Sequence, residues 1–282
     1  MKAKCCLVLS GDDLSVLDRS EKQIDLVELR LDCFDDLKGL KEIVQHITLP
    51  IIFTLRGRLD HGAFKGDEAA RLESLLNLLS FNPDYVDIEH HVDPAFLDQV
   101  AARFPQVKII RSYHHFEQTP NDLEAVFNSL KHPKVSVYKL ITTAKSSIDS
   151  LRLMRFLKSS KDTTSVIVHA MGEAGEFTRV MGAVLGNAWT YATFNNQTIA
   201  PGVLSLNDCQ QVYGLARLSL KTRVYALIGD PVSHSIGHKF HNKQFMDHDD
   251  NAVYVKIPLK ENELADFFEL IKTVPIDGLS VT

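Results

Sequence analysis

Short β-branched runs alternate with amphipathic stretches from residue 6 to residue 194, and this rhythm restricts the chain to parallel strands with helices packed outside them. The strand-like runs are CLVLS (6–10), LVELRLD (26–32), PIIFTLR (50–56), YVDIEH (85–90), VKIIRSYH (107–114), VYKLIT (137–142), SVIVHAM (165–171) and a weaker TYATF (190–194). Stretches such as EAARLESLLNLLSF, PAFLDQVAARF and DSLRLMRFLKSS lie between them, with apolar residues at helical spacing. Eight such units fit a (β/α)8 TIM barrel better than an open sheet.

The pattern breaks at the Pro201-Gly202 pair, followed by a helix-like DCQQVYGLARLSL. A second rhythm starts at RVYALIGD (223–230) and runs through a helix near 238–248, the strand AVYVKIPL, a helix over 263–274 and a strand-like DGLSVT. Two units are expected, a barrel over 1–217 and a partial α/β domain over 223–282 that reads as the beginning of a longer unit. With 24% charged residues and a net charge of −5, the chain lacks the basic excess of nucleic-acid binders. No stretch approaches the roughly 18 apolar residues of a spanning helix. A cytoplasmic protein acting on a small molecule, without nucleic-acid or membrane partners, is the expectation, and a homodimer is left open. Cys5, Cys6, Cys33 and Cys209 show no metal or redox spacing, and Cys5 and Cys6 should point to opposite faces of one strand.

Lys139 stands in the middle of an apolar run. An edge-strand lysine would reach water, whereas a buried one loses hydration and becomes a candidate nucleophile toward carbonyl carbon. The other strands favour the second reading. Period-two alternation sends Glu28, Arg30 and Asp32 to one face of LVELRLD, and Thr54 with Arg56, Asp87 with Glu89, Ser112 with His114, and His169 with Met171 repeat the device. Inward polar groups at the C-terminal ends of barrel strands are costly unless they pair around a wet site. A lysine, carboxylates, arginines and a histidine there suit imine chemistry on an anionic substrate, with His114 moving the proton and His115 as the alternative base. A metal on His90-His91 or His114-His115 is set aside, because adjacent histidines diverge on a strand.

At these residues the sequence resembles the type I 3-dehydroquinate dehydratases of the shikimate pathway, which supplies aromatic amino-acid biosynthesis. The resemblance covers roughly residues 5–217 and rests on VELRLD, FTLR, VDIE, SYHHF, the lysine strand, MGEAGEFTR and APG with the following ND. It implies a lyase without metal or organic cofactor, with Lys139 as Schiff-base lysine and His114 as proton-transferring histidine. Glu28, Arg30, Arg56, Arg179 and Met171 match substrate-pocket positions, and Asp87 and Glu89 an acidic pair on the fourth strand. Asp60 stands where a glutamate often supports the histidine, and the shorter carboxylate is expected to need a water to reach it. Ile199 and Val203 stand where a closing loop often carries serine and glutamine, which puts both polar contacts in doubt. His169 replaces a frequent methionine, and Tyr191 a phenylalanine.

YALIGDPVSHS (225–235) and GLSVT (278–282) resemble the substrate-binding start of shikimate dehydrogenases, which are known fused to the dehydratase. Ser235 and Thr282 would touch shikimate, with Gly237 where a second serine is usual. NADP is implied only for a complete dehydrogenase, since the Gly-rich pyrophosphate turn is absent after residue 223. Two rival readings remain: a lysine-imine aldolase, which would need a phosphate loop such as Gly172–Gly175, and a catalytically silent binding domain.

Overall fold

The structure, a computed structural model, describes residues 2–11, 24–160, 165–194 and 200–282. Its β-branched runs form eight parallel strands, β1 (Cys5–Leu9), β2 (Leu26–Arg30), β3 (Ile51–Thr54), β4 (Tyr85–Glu89), β5 (Lys108–His115), β6 (Val135–Thr143), β7 (Ser165–Met171) and β8 (Thr190–Thr193). They pair in the order 7-6-5-4-3-2-1-8, and the two-residue β9 (Leu204–Ser205) adds to β8. Between β7 and β8 the described residues form no ladder. Instead, Ala188 N–H donates to Val166 O at 2.9 Å, and the Asn187 amide binds Val168 N and O at 2.8 and 3.1 Å. A side chain thus does the work of a strand at the seam of a TIM-like barrel.

Helices α1 (Leu40–His46), α2 (Glu68–Leu78), α3 (Pro94–Arg103), α4 (Leu123–Leu130), α5 (Ser147–Ser160) and α6 (Thr178–Leu185) lie outside the strands. Their starts are written in the sequence. Asp67, Asp93 and Asp122 each accept a backbone N–H of the first turn at 2.8 Å, and Pro94 adds a preset φ at the head of α3. One strand face packs on these helices. The other fills the barrel floor with Cys6, Val8, Leu26, Ile52, Ile110, Val137, Ile167, Trp189 and Tyr191, while Cys5 belongs to the outer core, so the two cysteines do point apart.

A second, three-stranded parallel sheet has β10 (Arg223–Gly229) between β11 (Ala252–Pro258) and β12 (Gly278–Val281), with α7 (Gly237–Asp247) and α8 (Leu264–Leu270) as crossovers. Ser147 Oγ on α5 donates to Pro258 O, and Lys158 Nζ to Thr273 O at 2.8 Å, joining this sheet's layer to the barrel helices. Two local expectations differ from the structure. DCQQVYGLARLSL is not one helix: Gly214 takes a positive φ of 57° and separates a π-turn at Asp208–Val212 from a 3-10 turn at Leu215–Arg217. The second strand stops at Arg30, where Leu31–Cys33 turn into a 3-10 helix, so Asp32 leaves the strand's phase. Among the described residues no helix is long and apolar enough to cross a membrane.

Candidate active site

Period-two alternation turns each strand's inner face into a short vertical sequence, apolar at the floor and polar above it. Leu26 is followed upward by Glu28 and Arg30, Ile52 by Thr54, Ile110 by Ser112 and His114, Val137 by Lys139, and Ile167 by His169 and Met171. The upper layers open into a cavity at the C-terminal mouth of the barrel. Glu28, Arg30, Arg56, Asp60, His114, Lys139, Met171 and Arg179 all line it. Asp87 and Glu89 are buried beside that group. Ser235 and Thr282 lie elsewhere, after β10 and β12, where Ser235 Oγ accepts from Gly237 N–H at 3.2 Å.

Lys139 is buried at 5% exposure, which decides against a lysine that reaches water. Its Nζ donates to Asp87 Oδ2 at 2.9 Å, lies 3.8 Å from Glu28 Oε1 and sits 4.5 Å above the Tyr191 ring. Asp87 is shared, since Arg56 Nη2 holds its other oxygen at 3.1 Å. Burial would raise the Asp87 carboxyl, but the Arg56 and Lys139 charges outweigh it and hold the group far below the usual carboxylate range. Arg56 also faces Glu89 at 3.4 Å and Asp60 at 3.8 Å; burial works against its charge, and these carboxylates keep the guanidinium protonated. This arginine is saturated with protein partners and braces the lysine's counter-ion.

Arg71 was not anticipated as part of this network. It lies on α2, almost fully buried, with Glu89 at 2.9 Å, Glu68 at 2.6 Å and Leu55 O at 2.7 Å. Its position four residues before Leu75 and seven before Leu78 puts it on the apolar stripe of its helix, and that misplaced charge was the available signal. Tyr191, His61 and Phe116 also line the cavity.

His114 Nδ1 meets Asp60 Oδ2 directly at 3.0 Å, so the expected bridging water is not needed. The loop after β3 makes up for the missing methylene: Gly57 O accepts from both Asp60 N–H and Gly62 N–H, lifting Asp60 on a 3-10 turn. Only glycine fits at 62, where a Cβ would stand 2.0 Å from Arg56 O. Because a carboxylate only accepts, Nδ1 carries the hydrogen and Nε2 keeps its lone pair. Burial and then the Arg56 charge pull the imidazole down to about 4, against the opposing pull of Asp60, so His114 is a neutral base at ordinary pH. His115 turns away; its Nδ1 accepts from Glu117 and Gln118 N–H at 3.4 and 3.2 Å.

Arg179 is 2% exposed and has no carboxylate partner among the described residues, and its Nε has no hydrogen bond. Burial pulls it down to about 10, still cationic at neutral pH. A buried cation facing a cavity without a carboxylate partner among the described residues can accept an anion. Arg30 is partly committed, holding Asp32 at 3.1 and 3.0 Å. Ala200 and Val203 give the cavity rim an apolar surface, while Ile199 lies outside the described residues. The Gly172 and Gly175 amides bond to Pro201 O and Gly172 O, so neither glycine N–H of that turn is free for a phosphate.

His169 is fully buried, with Nδ1 unpartnered among the described residues. Burial and then Arg179 push it well below its ordinary value of 6.5. Folded, it stays neutral as pH falls, whereas the unfolded chain takes up a proton below about 6.5, so acid costs stability from there downward. Each such histidine contributes a slope of about 1.4 kcal/mol per pH unit. The depressed carboxylates act only at lower pH, below their ordinary value of 3.8. His169→Met is therefore expected to flatten the decline of the urea midpoint between pH 6.5 and 4.5. An unchanged slope would contradict this account of the buried imidazole.

The family profile described as Type I 3-dehydroquinase matches residues 6–219, and that described as Shikimate dehydrogenase substrate binding domain matches residues 227–282. A chloroplastic bifunctional 3-dehydroquinate dehydratase/shikimate dehydrogenase of Arabidopsis thaliana is 32% identical over 99% of this chain and 47% of its own length. A 3-dehydroquinate dehydratase of Dehalococcoides mccartyi is 30% identical over 74% of this chain and 93% of its own. The crystal structure of 3-dehydroquinate dehydratase from Geobacillus kaustophilus superposes with a TM-score of 0.66 at 26% identity, covering 74% of this chain and 89% of that one. The chain spans about half the length of the bifunctional relatives it matches. With three quarters of its residues inside the first profile, and the lysine, histidine and arginines gathered in one barrel mouth, the chain belongs to the type I 3-dehydroquinase family.

Proposed function

We propose that the barrel dehydrates 3-dehydroquinate to 3-dehydroshikimate through an imine on Lys139. The observation that carries this reading is the convergence on one cavity of a buried lysine, a neutral histidine and a buried arginine without a carboxylate partner. After the Lys139 ammonium gives a proton to solvent, its amine adds to the ring ketone, and the carbinolamine takes a proton back and loses water to give an iminium. His114 Nε2 then takes the adjacent C2 proton, and the bond's electrons flow into the iminium to form an enamine. As the enamine pushes back, the β-hydroxyl leaves with the proton returned by His114, and water hydrolyses the conjugated iminium to free the lysine. Arg179 holds the substrate carboxylate, Arg30 and Glu28 face its hydroxyls, and Asp60 fixes the histidine tautomer.

No step of this scheme calls for a metal or an organic cofactor. In the tail, Ser235 and Thr282 would meet a shikimate-class ligand, and NADP would enter only with a complete dehydrogenase. The direct test follows the absorbance of the conjugated enone product when dehydroquinate is added. An unchanged spectrum would defeat the dehydratase reading.

Val203 gives an apolar wall where a glutamine would offer a hydrogen bond. Val203→Gln is expected to lower KM by about fivefold, the equivalent of one net hydrogen bond of ~1 kcal/mol. An unchanged or raised KM would mean that the substrate is covered from another side.

A further inference from the structure

The reason for setting aside a metal at His90-His91 does not survive the structure. β4 ends at Glu89, so the two histidines sit in a turn and not on a strand that would send them apart. One ligand atom from each, with one from Asp60, fall within 4.8 Å of one another. We propose that Asp60, His90 and His91 bind a divalent transition-metal ion of the zinc class, and that the ion slows the barrel's reaction through Asp60. The coupling to turnover rests on the dehydratase reading; the binding does not.

The donor set is two imidazoles and one carboxylate, a combination suited to zinc-class ions with a water completing the shell. His90 is held in place by its N–H to Ser112 O at 2.7 Å and by the Tyr113 ring at 4.8 Å. Its Nδ1 is buried with no hydrogen-bond partner among the described residues.

His91 lies between two carboxylates. Its Nε2 points to Glu68 Oε1 at 3.7 Å, and its Nδ1 to Asp60 Oδ1 at 4.0 Å. When Nε2 carries the hydrogen toward Glu68, the Nδ1 lone pair faces a carboxylate oxygen, and a cation between them resolves the repulsion. Glu68 is itself fixed by Arg71 at 2.8 and 2.6 Å, so a small contraction of the 3.7 Å gap to His91 Nε2 would give the carboxylate–histidine–metal arrangement that orients ligating imidazoles. Tetrahedral closure at metal–ligand distances near 2.0–2.1 Å needs donor separations of about 3.4 Å. The donors, which lie within 4.8 Å of one another, must therefore draw in by up to about 1.4 Å, and His91, whose side chain is 21% exposed, has room to move.

Asp60 links this cluster to the chemistry. Its Oδ2 receives the His114 hydrogen while its Oδ1 faces His91, so one carboxylate serves both imidazoles. A cation on Oδ1 draws charge from the acceptor that supports His114 and makes Nε2 a weaker base. The expected outcome is a fall in kcat with little change in KM.

The test titrates the full chain with Co²⁺, whose visible bands report nitrogen and oxygen ligation, and in parallel measures turnover in rising Zn²⁺. One equivalent of Co²⁺ should bind and Zn²⁺ should displace it. His91→Ala should keep basal turnover and weaken both binding and inhibition roughly 100-fold, at least the effect of losing an outer-shell partner. His91→Gln is the second variant, to be used should the alanine disturb the turn. Absence of cobalt bands, or inhibition that survives in both variants, would overturn the site. Binding without any change in kcat would overturn the coupling. A chain without turnover would remove the dehydratase reading and the coupling with it, while the cobalt titration would still decide the site.

Discussion

His114→Ala is expected to lower kcat by ~10²- to 10⁴-fold, the usual contribution of general acid–base catalysis, while the imine on Lys139 still forms. The separation follows from the geometry. Lys139 is positioned by Asp87 and Glu28, neither of which depends on the histidine, so nucleophilic addition survives the substitution. His114 Nε2 alone faces the cavity, because its other nitrogen is committed to Asp60. His115→Ala serves as the control: that ring accepts two turn amides outside the cavity, and its loss should affect stability more than turnover. A reversal of the two effects would mean that the inward phase of β5 has been misassigned.

Arg179→Met should raise KM by roughly 30-fold to several thousandfold, the ~2–5 kcal/mol typical of truncating one member of a buried, hydrogen-bonded charge pair. Folding should move the other way. The guanidinium has no carboxylate partner among the described residues, so replacing it with an apolar side chain removes a desolvation cost in the free protein. A higher melting temperature together with a much higher KM is the signature of a residue kept for an anion. A large loss of stability with KM unchanged would make Arg179 a packing residue and leave the substrate carboxylate to Arg30.

Much of the barrel was legible because its signals are local. β-branched runs, the aspartates before α2, α3 and α4, and the period-two phase of VELR, VDIE and VYKLIT act within a few residues. The candidate residues on β2, β4, β5, β6 and β7 reached the barrel interior for the same reason. What could not be read depends on distant atoms. That Arg56 is occupied by Asp87, Glu89 and Asp60, while Arg179 has no carboxylate partner among the described residues, is set by which carboxylates the fold gathers. That Asp60 reaches His114 without a water depends on the turn closed by Gly57 and Gly62. The breaks after Arg30, at Glu89 and at Gly214 escaped because the polar residues that follow would fit a strand or helix equally well, and the chain leaves the element only where its partners end.

The central claim is that Lys139 forms an imine with a cyclic keto acid, and borohydride reduction in the presence of dehydroquinate or its product tests it most directly, since it turns a transient C=N bond into a stable amine. Peptide mass mapping should place one adduct on the peptide containing Lys139, still formed in His114→Ala and absent in Lys139→Met. An adduct on Lys145, or none on any lysine, would contradict the account.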